Sequence, residues 1–182
     1  MRLFVALSLP ENVRWQLRML TGGLPGAKWV PPENYHLTLR FLGEIDGRDM
    51  DYVDAALAGI RVPTFKLRLA GIGHFATGGR VKSVWAGVEK EPALTHLQDK
   101  VESAVVRAGL PPNGQRFTPH ATLSWTKDPP QAKLQHYLAE RNLFRSDSFD
   151  ITHFTLFSSL MGGEGSVYLA ERSYALSARV TA

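Results

Sequence analysis

The sequence predicts an α+β fold built from one strand-helix-strand-strand unit used twice, and three observations predict it. The tetrapeptide His36-Leu37-Thr38-Leu39 returns as His120-Ala121-Thr122-Leu123, His-x-Thr-Leu in both cases, 84 residues later. Around both copies, polar and apolar residues alternate with the two-residue period of a half-buried strand. Downstream of each copy the same order of elements repeats: a helical pattern, a strand opening on Phe65-x-Leu or Phe149-x-Ile, a glycine pair at Gly78-Gly79 or Gly162-Gly163, and a last strand carrying Ser83-Val84-Trp85 or Ser166-Val167-Tyr168. Such an internal duplication places the two motif strands symmetrically about a pseudo-twofold axis, where their histidines can face each other across one cleft.

The elements come in order. Residues 2–9 alternate as a first strand, and Pro10-Glu11 opens an amphipathic helix to about Thr21, with Val13, Leu17 and Leu20 on one side. Gly22-Gly23 stops it. A short strand at Lys28-Trp29-Val30 and a Pro31-Pro32 turn lead into the first motif strand, which runs to about Leu42. A helix from about Asp46 to Ala58 comes next, capped by Asp46 or a neighbouring carboxylate. Residues 65–69 and 81–88 read as two strands joined by a glycine-rich turn, and a helix from about Pro92 to Ala108 ends at Gly109. After Pro111-Pro112 and the second motif strand, the same logic gives a helix from about Pro130 to Arg141 and strands over about 149–158 and 167–176. With 182 residues and no cysteine, the chain can bury a sizeable core without disulfides, as one domain over residues 1–182 made of two interwoven lobes.

The opening Leu-Phe-Val-Ala-Leu-Ser-Leu lacks a basic leader beyond Arg2 and a small-residue cleavage site, so it reads as a strand. No apolar run approaches the roughly 20 residues of a membrane span. A soluble, cytoplasmic protein without a membrane partner is expected. The net charge of +4 fits an anionic partner such as RNA or a phosphate ester, and fits a solvated basic surface equally, because Lys and Arg are scattered. A twofold arrangement already closed within one chain points to a monomer.

Two facing His-x-Thr pairs suit in-line cleavage at phosphorus. Imidazole titrates near neutrality, so a neutral ring can activate water while a protonated one supplies the departing ribose oxygen with its proton. The hydroxyls of Thr38 and Thr122 can donate hydrogen bonds to the non-bridging phosphate oxygens. That chemistry requires no metal or other cofactor. The competing designs lack their residues: there is no His-x-His, no His-Glu-x-x-His and no Gly-x-Ser-x-Gly, and Glu33 and Glu44 do not recur beside the second motif.

Other candidates carry two readings each. His96 and His136 fall in helices, His74 before a glycine turn and His153 within a strand, positions that suit surface or packing roles. Trp29, Phe41, Trp85, Trp125 and Tyr168 can stack a base or fill the core, and Tyr168 needs a partner for its hydroxyl if buried. Arg116 lies four residues before His120, on the same face if the strand extends that far, and there it would hold phosphate. Lys28, Arg40 and Arg80 are weaker candidates for the same role.

These residues resemble the two-histidine phosphoesterases, and within them the RNA 2′,3′-cyclic phosphodiesterases, formerly described as bacterial 2′,5′ RNA ligases. The resemblance spans nearly the whole chain. It rests on Arg2-Leu3-Phe4-Val5-Ala6-Leu7, Trp29-Val30, Asn34-Tyr35-His36-Leu37-Thr38-Leu39, Phe41-Leu42-Gly43, Arg116-Phe117-Thr118-Pro119-His120-Ala121-Thr122-Leu123, and Phe157-Ser158-Ser159-Leu160 with Tyr168. It implies a bilobal fold with two antiparallel sheets lining a central cleft and helices outside, and hydrolysis of an RNA-terminal 2′,3′-cyclic phosphate to a 2′-phosphate without metal. His36 would then be the proton donor, His120 the proton acceptor, and Thr38 and Thr122 the phosphate ligands. The near-symmetry of the motifs leaves the acid and base labels exchangeable, and ligation through a 2′,5′ linkage would be the reverse reaction. One departure stands out: the second motif continues Ser124-Trp125, where relatives often carry a small residue and a basic one. Two other functions fit the same residues, a phosphodiesterase for small cyclic nucleotides of the ADP-ribose cyclic phosphate type and a non-catalytic RNA- or nucleotide-binding module.

Overall fold

In the computed structural model, which describes residues 1–178, the chain opens with β1 (Arg2–Ser8) and α1 (Glu11–Arg18). Leu3 to Leu7 are all buried, so this run is apolar on both faces, as in a central strand, and only its ends are exposed. Val13 and Leu17 fix the inner side of α1, and Gly22 and Gly23, both with positive φ, end the region that follows it. Next come β2 (Lys28–Trp29), a 3₁₀ turn at Pro32–Asn34, β3 (His36–Glu44) and α2 (Gly47–Ala58). Asp46 caps α2 by accepting a 2.8 Å hydrogen bond from the Asp49 amide. The chain continues through β4 (Phe65–Leu67), β5 (Leu69–Thr77), β6 (Arg80–Val88), α3 (Pro92–Arg107), β7 (His120–Trp125), α4 (Gln131–Arg141), β8 (Phe149–Ile151), β9 (His153–Gly162) and β10 (Gly165–Ala175).

Two antiparallel four-stranded sheets result, ordered β10-β9-β1-β3 and β2-β7-β6-β5. Each sheet joins the motif strand of one repeat to the hairpin of the other. The repeats meet again in a small ladder between β4 and β8, where Phe65 pairs with Ile151 and Leu67 with Phe149. Exchanging the repeats turns one of these pairs into the other, so a local twofold passes between Lys66 and Asp150, which themselves form a 3.0 Å ion pair. The symmetry is not complete. Beside β7 stands β6, the second strand of its hairpin, whereas beside β3 stands β1, with β9 beyond it.

One apolar cluster runs through both sheets, drawing Leu3, Val5, Leu7, Leu37 and Leu39 from the first, Ala86, Ala121 and Leu123 from the second, and Leu97, Val101 and Val105 from α3. Each fully buried Leu or Val contributes about 1.5–3 kcal/mol of transfer free energy, so the two sheets are held against the helices by a shared core. A smaller cluster of Leu24, Val84, Leu134 and Tyr137 anchors α4. There Arg141 lies 4.0 Å over the Tyr137 ring, and Tyr137 and Arg141 both donate to the Leu20 carbonyl.

Residues 71–77 form strand rather than the glycine-rich turn expected from sequence. Gly71, at φ +75°, sits where the β5–β6 register slips between Leu69 and Ile72. Gly73 pairs with Trp85, whose ring covers it so closely that a Cβ there would collide. The hairpin turn itself is only Gly78-Gly79, both at positive φ. His74 accordingly lies inside β5, opposite Val84.

Candidate active site

His36 is the first residue of β3 and His120 the first of β7. Alternation does the rest: Leu37, Leu39, Ala121 and Leu123 are buried in the core, while His36, Thr38, His120 and Thr122 are only half-buried on the opposite face. One backbone device recurs at both. The His36 Nδ1 lies 2.7 Å from the Asn34 carbonyl and the His120 Nδ1 2.6 Å from the Thr118 carbonyl, each two residues upstream. A carbonyl only accepts, so Nδ1 carries the proton and each neutral ring presents the lone pair of Nε2. At the first site that Nε2 is 2.9 Å from the Thr38 hydroxyl. At the second, neither the His120 Nε2 nor the Thr122 hydroxyl has a hydrogen-bond partner among the described residues.

The rings sit among aromatics. His36 lies 5.0 Å from Phe4 and edge-on to Tyr168 at 5.3 Å, and Phe4 in turn stacks on Phe157. His120 lies edge-on to Phe75 at 4.9 Å and 5.6 Å from Trp85. This apolar packing disfavours the charged ring, so burial is the main cause that holds both imidazoles below the ordinary histidine range, against the opposing pull of the backbone carbonyls. His36 is the more deeply buried, and a charge on His120 lowers it further. The two motif histidines are therefore close enough to sense each other, and protonating one makes protonating the other harder. Two such rings can divide a proton-transfer reaction between them, one neutral and one charged.

Asn34 does more than offer its carbonyl: its side chain donates a 2.9 Å bond to the Ser166 carbonyl, tying the first motif to β10. Beside Phe4, Asn34, His36, Phe157 and Tyr168 a small pocket opens toward Arg14 and Glu33. Alternation within single strands does not single out Phe4, Phe75 and Phe157 as neighbours of the histidines; the one available signal is their place at the polar-facing register of strands that the fold brings together. The Tyr168 ring lies beside both His36 and Phe4. Arg116 is not on a strand face with His120, because β7 begins only at His120 and Pro119, with no N–H to give, cannot extend the ladder. It is exposed, and lines a separate hollow with Gln98, Asp99, Glu102 and Phe117 beside α3. Arg40 is likewise committed elsewhere, to Glu102 at 2.6 Å and to the Phe41 and Pro111 carbonyls. Among the described residues, no three His, Cys, Asp or Glu side chains gather as a metal-binding group, and no helix is long and apolar enough to cross a membrane.

The model of the LigT-like phosphoesterase family matches residues 7–85 and again 87–168, one match to each histidine motif. The chain belongs to that family. This phosphoesterase is 30% identical over 176 residues to an RNA 2′,3′-cyclic phosphodiesterase of Archaeoglobus fulgidus, covering 92% of this chain and 96% of the relative. It is 34% identical over 165 residues to one of Aeropyrum pernix, covering 87% and 92%. The crystal structure of Escherichia coli LigT in apo form superposes with a TM-score of 0.78 at 27% identity over 96% of both chains, and the same protein has been crystallised with 3′-AMP at the same TM-score. The bilobal, internally duplicated α+β architecture expected of the phosphoesterase is thus the one observed.

Proposed function

We propose that this phosphoesterase hydrolyses the 2′,3′-cyclic phosphate at the 3′ end of RNA to a 2′-phosphate, without metal, through His36 as proton donor and His120 as proton acceptor. The observation that carries the reading is the paired imidazole geometry, two rings oriented by matching contacts with the carbonyl two residues upstream. His120 is the more open of the two, where water has access. Its Nε2 takes a proton from water as the water oxygen bonds to phosphorus; the bond from phosphorus to the 3′-oxygen breaks, and the proton on the His36 Nε2 goes to that oxygen. The Thr38 hydroxyl, already beside the His36 Nε2, and the Thr122 hydroxyl donate to the non-bridging oxygens as charge grows on them. Because one motif lies on each sheet, both repeats act as a single domain. The names of the similar proteins support the RNA substrate class, and two imidazoles able to pass protons by themselves support the metal-free route. With the 5′-hydroxyl of a second RNA in place of water, the same groups would open the cyclic phosphate, forming the bond from phosphorus to that oxygen as the bond to the 3′-oxygen breaks, and join the ends through a 2′,5′ linkage.

The test is incubation of the purified protein, in EDTA, with a short RNA ending in a 2′,3′-cyclic phosphate, and then separation of 2′- from 3′-phosphate products. A 2′-phosphate is the expected product. A 3′-phosphate would reverse the leaving group, and activity that EDTA abolishes would refute the metal-free route. Turnover of cyclic mononucleotides alone would restrict the substrate to small cyclic phosphates.

A further inference from the structure

Trp125 stands where strict alternation does not put it. Counted from His120 and Thr122, it belongs on the core face. In the ladder, however, Trp85 pairs with Thr122 and Val84 with Ser124, leaving Leu123 unmatched as a bulge. Leu123 and Ser124 are consequently both buried at 0% exposure. Trp125, opposite Ser83, returns to the face of Trp85, Thr122 and His120. The neighbouring strand agrees: Trp29, opposite Ser124, packs against Tyr137, while Lys28, opposite Trp125, is exposed.

The result is an indole 57% exposed, with a lysine beside it, two β6 residues beyond Thr122, a distance of about 7 Å along the strand. Phe75, across the sheet from Ser83 and 38% exposed, continues the aromatic surface back to the His120 ring. Lys28 has no ion pair among the described residues. A flat apolar ring and a free cation, one step from a group that handles phosphate, match the two chemically distinct parts of a nucleotide.

We propose that Trp125 and Lys28 form a subsite for the nucleotide on the 5′ side of the RNA end, its base stacked on the indole and its phosphate paired with the ammonium. The inference rests on the RNA-end reading of the site and makes this phosphoesterase prefer oligonucleotides to mononucleotides.

The test compares kinetics on a 2′,3′-cyclic mononucleotide and on a dinucleotide ending in the same cyclic phosphate, for wild type, Trp125→Ala, Trp125→Phe and Lys28→Ala. For Trp125→Ala, KM on the dinucleotide should rise about tenfold or more beyond any rise on the mononucleotide, the size of one lost base stack. Trp125→Phe should recover most of this, and Lys28→Ala should cause a smaller loss that fades as salt is raised. Equal effects on both substrates, or none on the dinucleotide, would overturn the subsite and leave the phosphodiesterase reading standing. If wild type turned over neither substrate, that reading would fall instead. The subsite would then be decided by tryptophan fluorescence with a dinucleotide 2′-phosphate: quenching in wild type that Trp125→Phe abolishes upholds it, and equal quenching in both refutes it.

Discussion

The two motif sites share a backbone device and differ in everything around it. His36 is closed in: Asn34 binds it from upstream and is itself fastened to Ser166, Thr38 holds its Nε2, and the Phe4–Phe157 stack and Tyr168 wall it off. His120 has the same carbonyl contact from Thr118, but among the described residues its Nε2 and Thr122 have no hydrogen-bond partner, and its aromatic neighbours there are Phe75 and Trp85. Duplication copied the tautomer control, and the different strand order about the two motifs changed the surroundings. In the proposed division of labour the sheltered ring serves the bound leaving group and the open one serves water, so it is the walls and not the shared motif that would set the roles.

Breaking this division should give the largest effects. His36→Ala and His120→Ala should each lower kcat on a cyclic-phosphate RNA by about 10²- to 10⁴-fold. On a phosphodiester whose leaving group needs no proton, such as a nitrophenolate, His36→Ala should regain most of the loss and His120→Ala should not. The opposite rescue would exchange their labels.

The threonines should come next. Thr38→Val and Thr122→Val each remove one donor to the developing charge, and losses of up to about 10²-fold in kcat are expected. Thr38→Val should also shift the titration of His36, which steady-state pH profiles would detect, whereas Thr122→Val should leave that profile in place.

The pH dependence sharpens the comparison further. In the free protein both imidazoles titrate below the usual 6.5, since burial penalises their charged forms. The proton donor must be charged, so kcat/KM should fall as pH rises through its lowered pKa, placing the alkaline limb below 6.5. Bound phosphate anion favours the imidazolium, and the corresponding limb of kcat should lie at higher pH. Coincident limbs would mean that the substrate does not sit between the rings. The smallest effect is expected from Arg116→Ala, within about twofold in kcat/KM, because that side chain faces the hollow beside α3.

Much of this was legible in the sequence because it is local. Period-two alternation placed His36, Thr38, His120 and Thr122 on one face each, and the 84-residue recurrence exposed the duplication. What escaped needed a partner strand to be seen. Gly71 and Gly73 look like breakers until β6 shows one to be at a bulge and the other beneath Trp85. The bulge at Leu123 cannot be counted from β7 alone, so Trp125 is assigned to the wrong face by any strictly periodic reading. Phe4, Phe75 and Phe157 reach the histidines from strands far away in sequence, and Arg116 fails because Pro119 stops the strand that its alternation assumed.

The exchange of hairpins has a last consequence. The aromatic wall of the first histidine includes Phe157 and Tyr168 from β9 and β10, in the second repeat, and that of the second is Phe75 and Trp85 from β5 and β6, in the first. The molecule is wired crosswise. Damage to either hairpin is felt at the histidine of the other repeat, and a cut in the loop between α3 and β7 would yield two fragments that each hold a motif strand without the hairpin of its own sheet, so that neither could build even half a site without the other.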